Sequence, residues 1–371
     1  MSNGAIKSSP SMKHAKQRYS LFPIQNPDVW GLYKKQLASF WTVEEIDFSK
    51  DREQWNNLLV DEERHFLKHV LAFFAGTDAI VALNLLDNFT KDVKLLEAQI
   101  AYMFQAAMEG IHSEAYSLMI ETYITDGEEK ERLFNSIENV PTVAHKMAWA
   151  EKWALLDKDD DASSETEEKT EPTERAAAAA AGGEAFERSN RDVRPSFARR
   201  LIAFCIVEGL FFSGAFCAIY WIKQRNLLPG LTKSNEFIAR DEGMHTEFGC
   251  LMYNELPESE KLPHEEVHAM FRDAVEVEKE FINESIPCRM VGMNAELMST
   301  YIEYVADLLL AALRYEPIYG SRNPFSFMDL IGMSGRSNFF EERVSQYQRA
   351  DVLNTGRTLT YNEDSILNED F

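Results

Sequence analysis

The chain has 371 residues, 45 % of them hydrophobic, with 61 acidic against 38 basic side chains and a formal net charge of −23. That is enough apolar material for one large or two ordinary domains with a sizeable core. The negative balance argues against a surface that neutralises nucleic-acid phosphates or anionic lipid.

In chain order, residues 1–20 are polar and basic with no apolar run, so no secretory signal is visible and the segment reads as a flexible arm. "LFPIQNPDVWGLYKKQLASFWTVEEIDFSKD" follows, a proline- and aromatic-rich stretch taken as a short irregular lead. Apolar residues then recur with helical period. They predict helices at about 53–87, 92–125, 128–138, 142–156, 195–226, 233–256, 263–286 and 290–315. Asp126-Gly127 and Pro229-Gly230 act as breakers. No alternating β-branched run announces a strand, and the fold class is all-α.

Two segments stand apart from the helices. Residues 156–190 join an acidic Ser/Thr/Glu run to an alanine tract and a Gly pair, with too few large apolar side chains to offset the entropy of ordering them. They read as a solvated insertion between two core helices. The stretch 351–371 is polar, acidic and ends "LNEDF", a tail that either frays or docks on a partner. "LIAFCIVEGLFFSGAFCAIYWI", 201–222, has the length of a membrane span. Glu208 near its centre favours instead a helix buried in a soluble bundle. Cys205, Cys217, Cys250 and Cys288 form no C-x-x-C pair and read as reduced thiols of a cytoplasmic protein.

The chemistry concentrates on four of the helices. In "QAAMEGIHSEAYSLMIETYI", Glu109, His112 and Tyr116 are spaced three and four apart, on one helical face. "ARDEGMHTEF" repeats the pattern with Glu242 and His245. Asp78 and Glu208 are nearly the only charges in their apolar stretches, and each needs a partner in the core. Carboxylates from four helices with two imidazoles describe a dinuclear metal centre in a four-helix bundle. An oxygen-rich donor set of this kind suits iron or manganese better than a thiolate metal. His65 and His69 fall on the Asp78 helix but away from its inner face, and read as surface or packing residues.

These residues resemble those of the radical-carrying small subunit of class I ribonucleotide reductase, from about Leu21 to Phe371 apart from the insertion. The resemblance rests on "ASFWTVEEIDFSKD", "MEGIHSEAYSLMIETYI", "VEGLFFSGAF", "ARDEGMH", "NPFSFMDLIGMSGRSNFFEERV" and the acidic terminus. It implies a ferritin-like four-helix-bundle core with additional helices over 21–350, and a tail at 351–371 that docks a large catalytic subunit. It implies that Asp78, Glu109, His112, Glu208, Glu242 and His245 bind two irons, with a manganese–iron pair as the lesser alternative. By the same resemblance, Tyr116 becomes a tyrosyl radical when the metals react with O2, inside an apolar cage of Phe212, Phe216 and Ile238. Trp41 and Asp241 would carry the oxidising equivalent outward, and Tyr347, with Tyr361 as a rival, would pass it to the large subunit, where ribonucleoside diphosphates are reduced. The family implies a homodimer. No Walker loop or dinucleotide fingerprint is present, and "GMSG" at 332–335 is a turn. Two other functions share the ligands: a di-iron oxygenase or desaturase acting on an external substrate, and an iron-storage bundle.

Overall fold

The computed structural model describes residues 18–153, 196–285 and 293–328, and no β-strand occurs among them. Most of the N-terminal arm, the 156–190 insertion, Cys288, the GMSG motif at 332–335, Tyr347 and the 351–371 tail with Tyr361 lie outside the described residues.

The lead read as irregular contains a helix, α1 (Pro27–Leu37). The Asn26 side chain accepts hydrogen bonds from the amides of Asp28 and Val29, and Pro27 takes the first helical position, where an N–H is not needed. The stretch expected as one helix at 53–87 is divided into α2 (Asp51–Asn57) and α3 (Asp61–Asn84). The Glu63 carboxylate accepts from the Val60 amide and so starts α3 afresh. A π-helical turn (Leu85–Phe89) and one α-turn (Thr90–Asp92) follow. α4 (Leu96–Tyr123) is long; α5 (Gly127–Phe134) is capped by Asp126, which accepts from the Glu129 amide at 2.8 Å. One turn at Ser136–Asn139 leads into α6 (Pro141–Trp153).

The segment expected as a single helix at 195–226 is α7 (Phe197–Ile206), a π-helical turn (Val207–Phe211) and α8 (Ser213–Gln224). Pro229-Gly230, read as a breaker, forms the first turn of α9 (Pro229–Asn254), again with Pro at the first position. The connection before it needs left-handed backbone at Asn226 and Leu228, φ 55° and 50°. α10 (His264–Ser285) and α11 (Ala295–Ala312) complete the described bundle.

Burial follows the helical period. α3 packs on α4, and its Phe66, Val70, Phe73, Phe74 and Val81 turn inward; each fully buried side chain of this size contributes about 1.5–3 kcal/mol. α7 packs on α9, and α10 on α11. Two helical stretches, Asp61–Asp92 and Phe197–Gln224, are long and apolar enough to cross a membrane, but 56 % and 89 % of their most apolar windows are buried in the protein, as in core helices.

One polar contact sets where α9 begins. The buried Asp51 carboxylate accepts from the amides of Gly230 (2.9 Å) and Leu231 (2.8 Å) and from the Tyr123 hydroxyl (2.7 Å). It satisfies N–H groups that the first turn of a helix cannot satisfy itself, and ties the end of α4 to the start of α9. A Cβ at position 230 would lie 2.6 Å from Phe48 Cδ1, so only glycine permits this approach.

Candidate metal centre

Four helical segments place their acids around one point in the core. Asp78 comes from α3, Glu109 and His112 from α4, Glu208 from the π-helical turn, and Glu242 and His245 from α9. None of the six is more than 2 % exposed. The wider turn at Val207–Phe211 rotates the helical face locally, a device found often at functional sites.

The two imidazoles sit among shared carboxylates. His112 Nδ1 lies 2.9 Å from Glu242 Oε1 and 3.5 Å from Glu109 Oε2. His245 Nδ1 lies 2.8 Å from Glu109 Oε1, 3.1 Å from Glu242 Oε2 and 4.0 Å from Glu208 Oε2. Glu109 and Glu242 therefore each reach both rings. Glu109, Glu208, Glu242 and His245 offer ligand atoms that all lie within 4.8 Å of one another, a group that can hold a metal ion. Asp78 and His112 extend it on the other side.

The electrostatics show what the cluster lacks. Burial pushes the Asp78 and Glu208 carboxyls well above the usual range, and the neighbouring carboxylates push them further. Burial would also raise Glu242, but His112 and His245 hold it below the usual range. Burial would lower His245, yet its hydrogen bonds to Glu109 and Glu242 bring it up to about 9. Asp78 Oδ2 and both oxygens of Glu208 are buried without a hydrogen-bond partner, and Glu109 and Glu242 meet only the two imidazoles. Among the described residues the ion-pair partners of Glu109, Glu208 and Glu242 are these imidazoles, not lysine or arginine. Orphaned buried polar atoms are rare and costly. Carboxylate and imidazole lone pairs that converge on one point are what a cation requires, and hard divalent ions prefer this donor set.

Tyr116 lies one turn beyond His112 and is fully buried. Burial and then the Asp78 charge push its phenol well above the ordinary range. Its hydroxyl donates to Asn235 Oδ1 at 2.7 Å, and its ring stacks on Phe74 with centroids 4.3 Å and planes 2° apart. Phe212 and Phe216 pack against Phe74 at 5.3 and 5.2 Å. Ile238 is fully buried on α9. Sequence reasoning missed Phe74 and Asn235. The signal was there: Phe74 is one turn before Asp78 and Asn235 two turns before Glu242, both on an inward face.

Trp41 is 2 % exposed, and its indole N–H donates to Asp241 Oδ2 at 2.8 Å. The same oxygen is 3.3 Å from His112 Nε2, and the Trp41 and His112 rings stack at 6.1 Å. Arg240 donates to the other carboxylate oxygen, Oδ1, at 3.0–3.1 Å. A continuous polar line thus runs from His112 through Asp241 to Trp41, and a carboxylate placed like Asp241 orients a histidine and raises its basicity. His65 and His69 lie outside the cluster, 4.2 Å from one another on the outer side of α3.

The sequence model of the family described as ribonucleotide reductase, small chain, matches residues 18–324. The ribonucleoside-diphosphate reductase small chain of Nicotiana tabacum is 46 % identical over 366 residues, covering 99 % of both proteins. The small subunit of the same reductase from Dictyostelium discoideum is 46 % identical, covering 98 % of this chain and 96 % of the relative. The solved ribonucleotide reductase Rnr4 homodimer of Saccharomyces cerevisiae superposes with a TM-score of 0.70 at 33 % identity, over 91 % of this chain and 92 % of that one.

Proposed function

The chain belongs to the ribonucleotide reductase small-chain family, and from that premise we propose that this small subunit of a ribonucleoside-diphosphate reductase houses a di-iron centre and a tyrosyl radical at Tyr116. The observation that carries the reading is the convergence of buried carboxylates and imidazoles with unpartnered lone pairs, one helical turn from a buried phenol. Asp78 and His112 would hold one ion, Glu208 and His245 the other, and Glu109 and Glu242, which reach both rings, would be shared. Two divalent cations balance the charge of the four carboxylates. When bound, the irons supply one-electron oxidation with dioxygen.

The chain's own residues then do three things. Asp78, Glu109, Glu208 and Glu242 hold the site in a water-excluding core, where fixed charges act more strongly than in solvent. Phe74, backed by Phe212 and Phe216, covers the Tyr116 ring and keeps water away from it. Asp241 orients His112 and accepts the Trp41 indole proton in a hydrogen bond, so that Trp41 connects the site to the α1 side of the protein. From there Tyr347 would hand the oxidising equivalent to a large subunit docked by the 351–371 tail. The reading also takes the small chain as a homodimer, as in the yeast structure. Cys205, Cys217 and Cys250 are free thiols, which fits a reducing cytoplasmic setting.

Aerobic loading with ferrous iron and electron paramagnetic resonance tests the reading. A tyrosyl signal in the wild type that is absent from Tyr116→Phe is the expected result. A wild type that takes up iron and stays silent would contradict it and leave an oxygenase or storage role. Removing roughly the last seven residues should leave the radical intact and abolish reduction with the large subunit; unchanged turnover would contradict docking by the tail.

A further inference from the structure

The partner of the Tyr116 hydroxyl is unusual for what it cannot do. Asn235 is fully buried on α9, and its side chain makes two hydrogen bonds: Nδ2 donates to the Leu231 carbonyl at 2.8 Å, and Oδ1 accepts from Tyr116 at 2.7 Å. The backbone carbonyl of Asn235 meanwhile accepts from Tyr220 at 3.4 Å. A backbone carbonyl can only accept, so the amide nitrogen must face Leu231, and the amide oxygen must therefore face the phenol. Turning the amide over would set oxygen against the Leu231 carbonyl and lose that bond. The helix itself locks the orientation.

We propose that Asn235 is a positioning residue that tunes Tyr116, stabilising the phenol and offering nothing to the phenoxyl radical. The inference rests on the radical reading above. Oxidation takes one electron from the ring to a dioxygen-derived oxidant and breaks the phenolic O–H bond. The proton follows the electron to that oxidant, so that the phenol loses one hydrogen atom in all and the oxidant is reduced by one electron and protonated. The Asn235 amide oxygen is too weakly basic to take it. After the step, the phenoxyl oxygen faces the amide oxygen with no hydrogen between them. The hydrogen bond of the reduced state is lost without replacement, so the oxidised state is disfavoured. Asn235 thus keeps Tyr116 a strong oxidant that gives its hole up readily, which suits a residue that passes an equivalent on.

Asn235→Leu, close in volume, and Asn235→Ala remove the amide. Both should take up iron and form the radical as the wild type does. Ascorbate should then reduce that radical roughly three- to tenfold more slowly, the fold-change that corresponds to one ordinary hydrogen bond. Electron–nuclear double resonance in deuterated water gives a second readout: the wild-type radical should show no coupled exchangeable deuteron that either variant lacks. Reduction at the wild-type rate or faster, in whichever variant loads iron, overturns the proposal. So does a deuteron coupling lost on substitution, because the amide would then be donating. Both results require a wild-type radical and so refute the role of Asn235 alone; a silent wild type overturns the Tyr116 reading and this one with it.

Discussion

Two groups of buried charge lie in the same bundle and are solved differently. Glu278 of α10 is fully buried and has its own cation: Lys146 Nζ of α6 lies 2.5 Å from Glu278 Oε2, sits over the Phe73 and Phe281 rings at 3.7 and 3.8 Å, and donates to the Phe211 carbonyl. The cluster of Asp78, Glu109, Glu208 and Glu242 is equally buried, yet its carboxylates face one another and two imidazoles. In the first place the chain supplies the counter-charge, and the pair is structural. In the second it leaves the counter-charge to come from outside, and the place is a binding site. Burial of acids alone does not mark a site, since Asp51 is satisfied by amides and a hydroxyl and Glu278 by a lysine; several buried carboxylates facing one another with neither kind of partner do mark one.

The largest effect is expected at the Lys146–Glu278 pair. Glu278→Ala strands the Lys146 ammonium in the core, and an uncompensated buried charge of this kind costs about 3–5 kcal/mol. Chemical denaturation should register that loss, while iron uptake by the folded fraction stays intact. A loss below about 1 kcal/mol would mean that the pair is not the neutralised counterpart described here.

On the other side, stability should depend on metal. Ferrous iron at about 100 times its dissociation constant should stabilise the wild type by about 2.7 kcal/mol, by mass action on the folded state alone. Calorimetry with and without the metal measures it. Glu242→Ala should erase the difference, because Glu242 is a carboxylate that reaches both imidazoles.

A smaller effect falls between the cluster and its surroundings. Trp41→Phe removes the donor to Asp241 and should cost about 1.5–3 kcal/mol, the range for hydrogen bonds to charged groups. It should slow turnover with the large subunit far more than it lowers the tyrosyl signal. Equal losses in both would remove Trp41 from the route.

The mildest test is pH. Burial pushes Glu278 up to about 7 against the pull of Lys146, and burial pushes Lys146 down to about 8 against the pull of Glu278. The folded state holds the Glu278 proton more tightly than the unfolded chain, so this carboxyl lowers stability as pH rises from about 4.5 to 7. Lys146 binds its proton less tightly when folded, so stability recovers from about 8 to 10.5. The iron-loaded wild type, compared with a Lys146→Met, Glu278→Leu double variant, should show a trough between these limits that the variant lacks.

Much of this was legible in the sequence. Glu109, His112, Glu242 and His245 fall at helical spacings that survive folding, and Asp78 and Glu208 stood out as lone charges in apolar runs. α1 was not legible, because prolines and aromatics hid a start signal at Asn26-Pro27. Nor was the π-helical turn around Glu208, since a period of 3.6 cannot report a local change of winding. Asn235 and Phe74 lay at the right spacing but are ordinary residue types, and only their contacts with Tyr116 give them meaning. Long-range partnerships such as Asp51 with Gly230, or Lys146 with Glu278, leave no periodic trace at all.

On this reading the acidic cluster is completed by metal rather than by the chain. Anaerobic titration with ferrous iron, followed by metal analysis and anomalous scattering from crystals, tests it most directly. The account requires about two irons per chain, between Glu109 and Glu242, with His112 and His245 each bound to one. A saturated protein with no iron there, or with the four carboxylates turned apart around water, would contradict it.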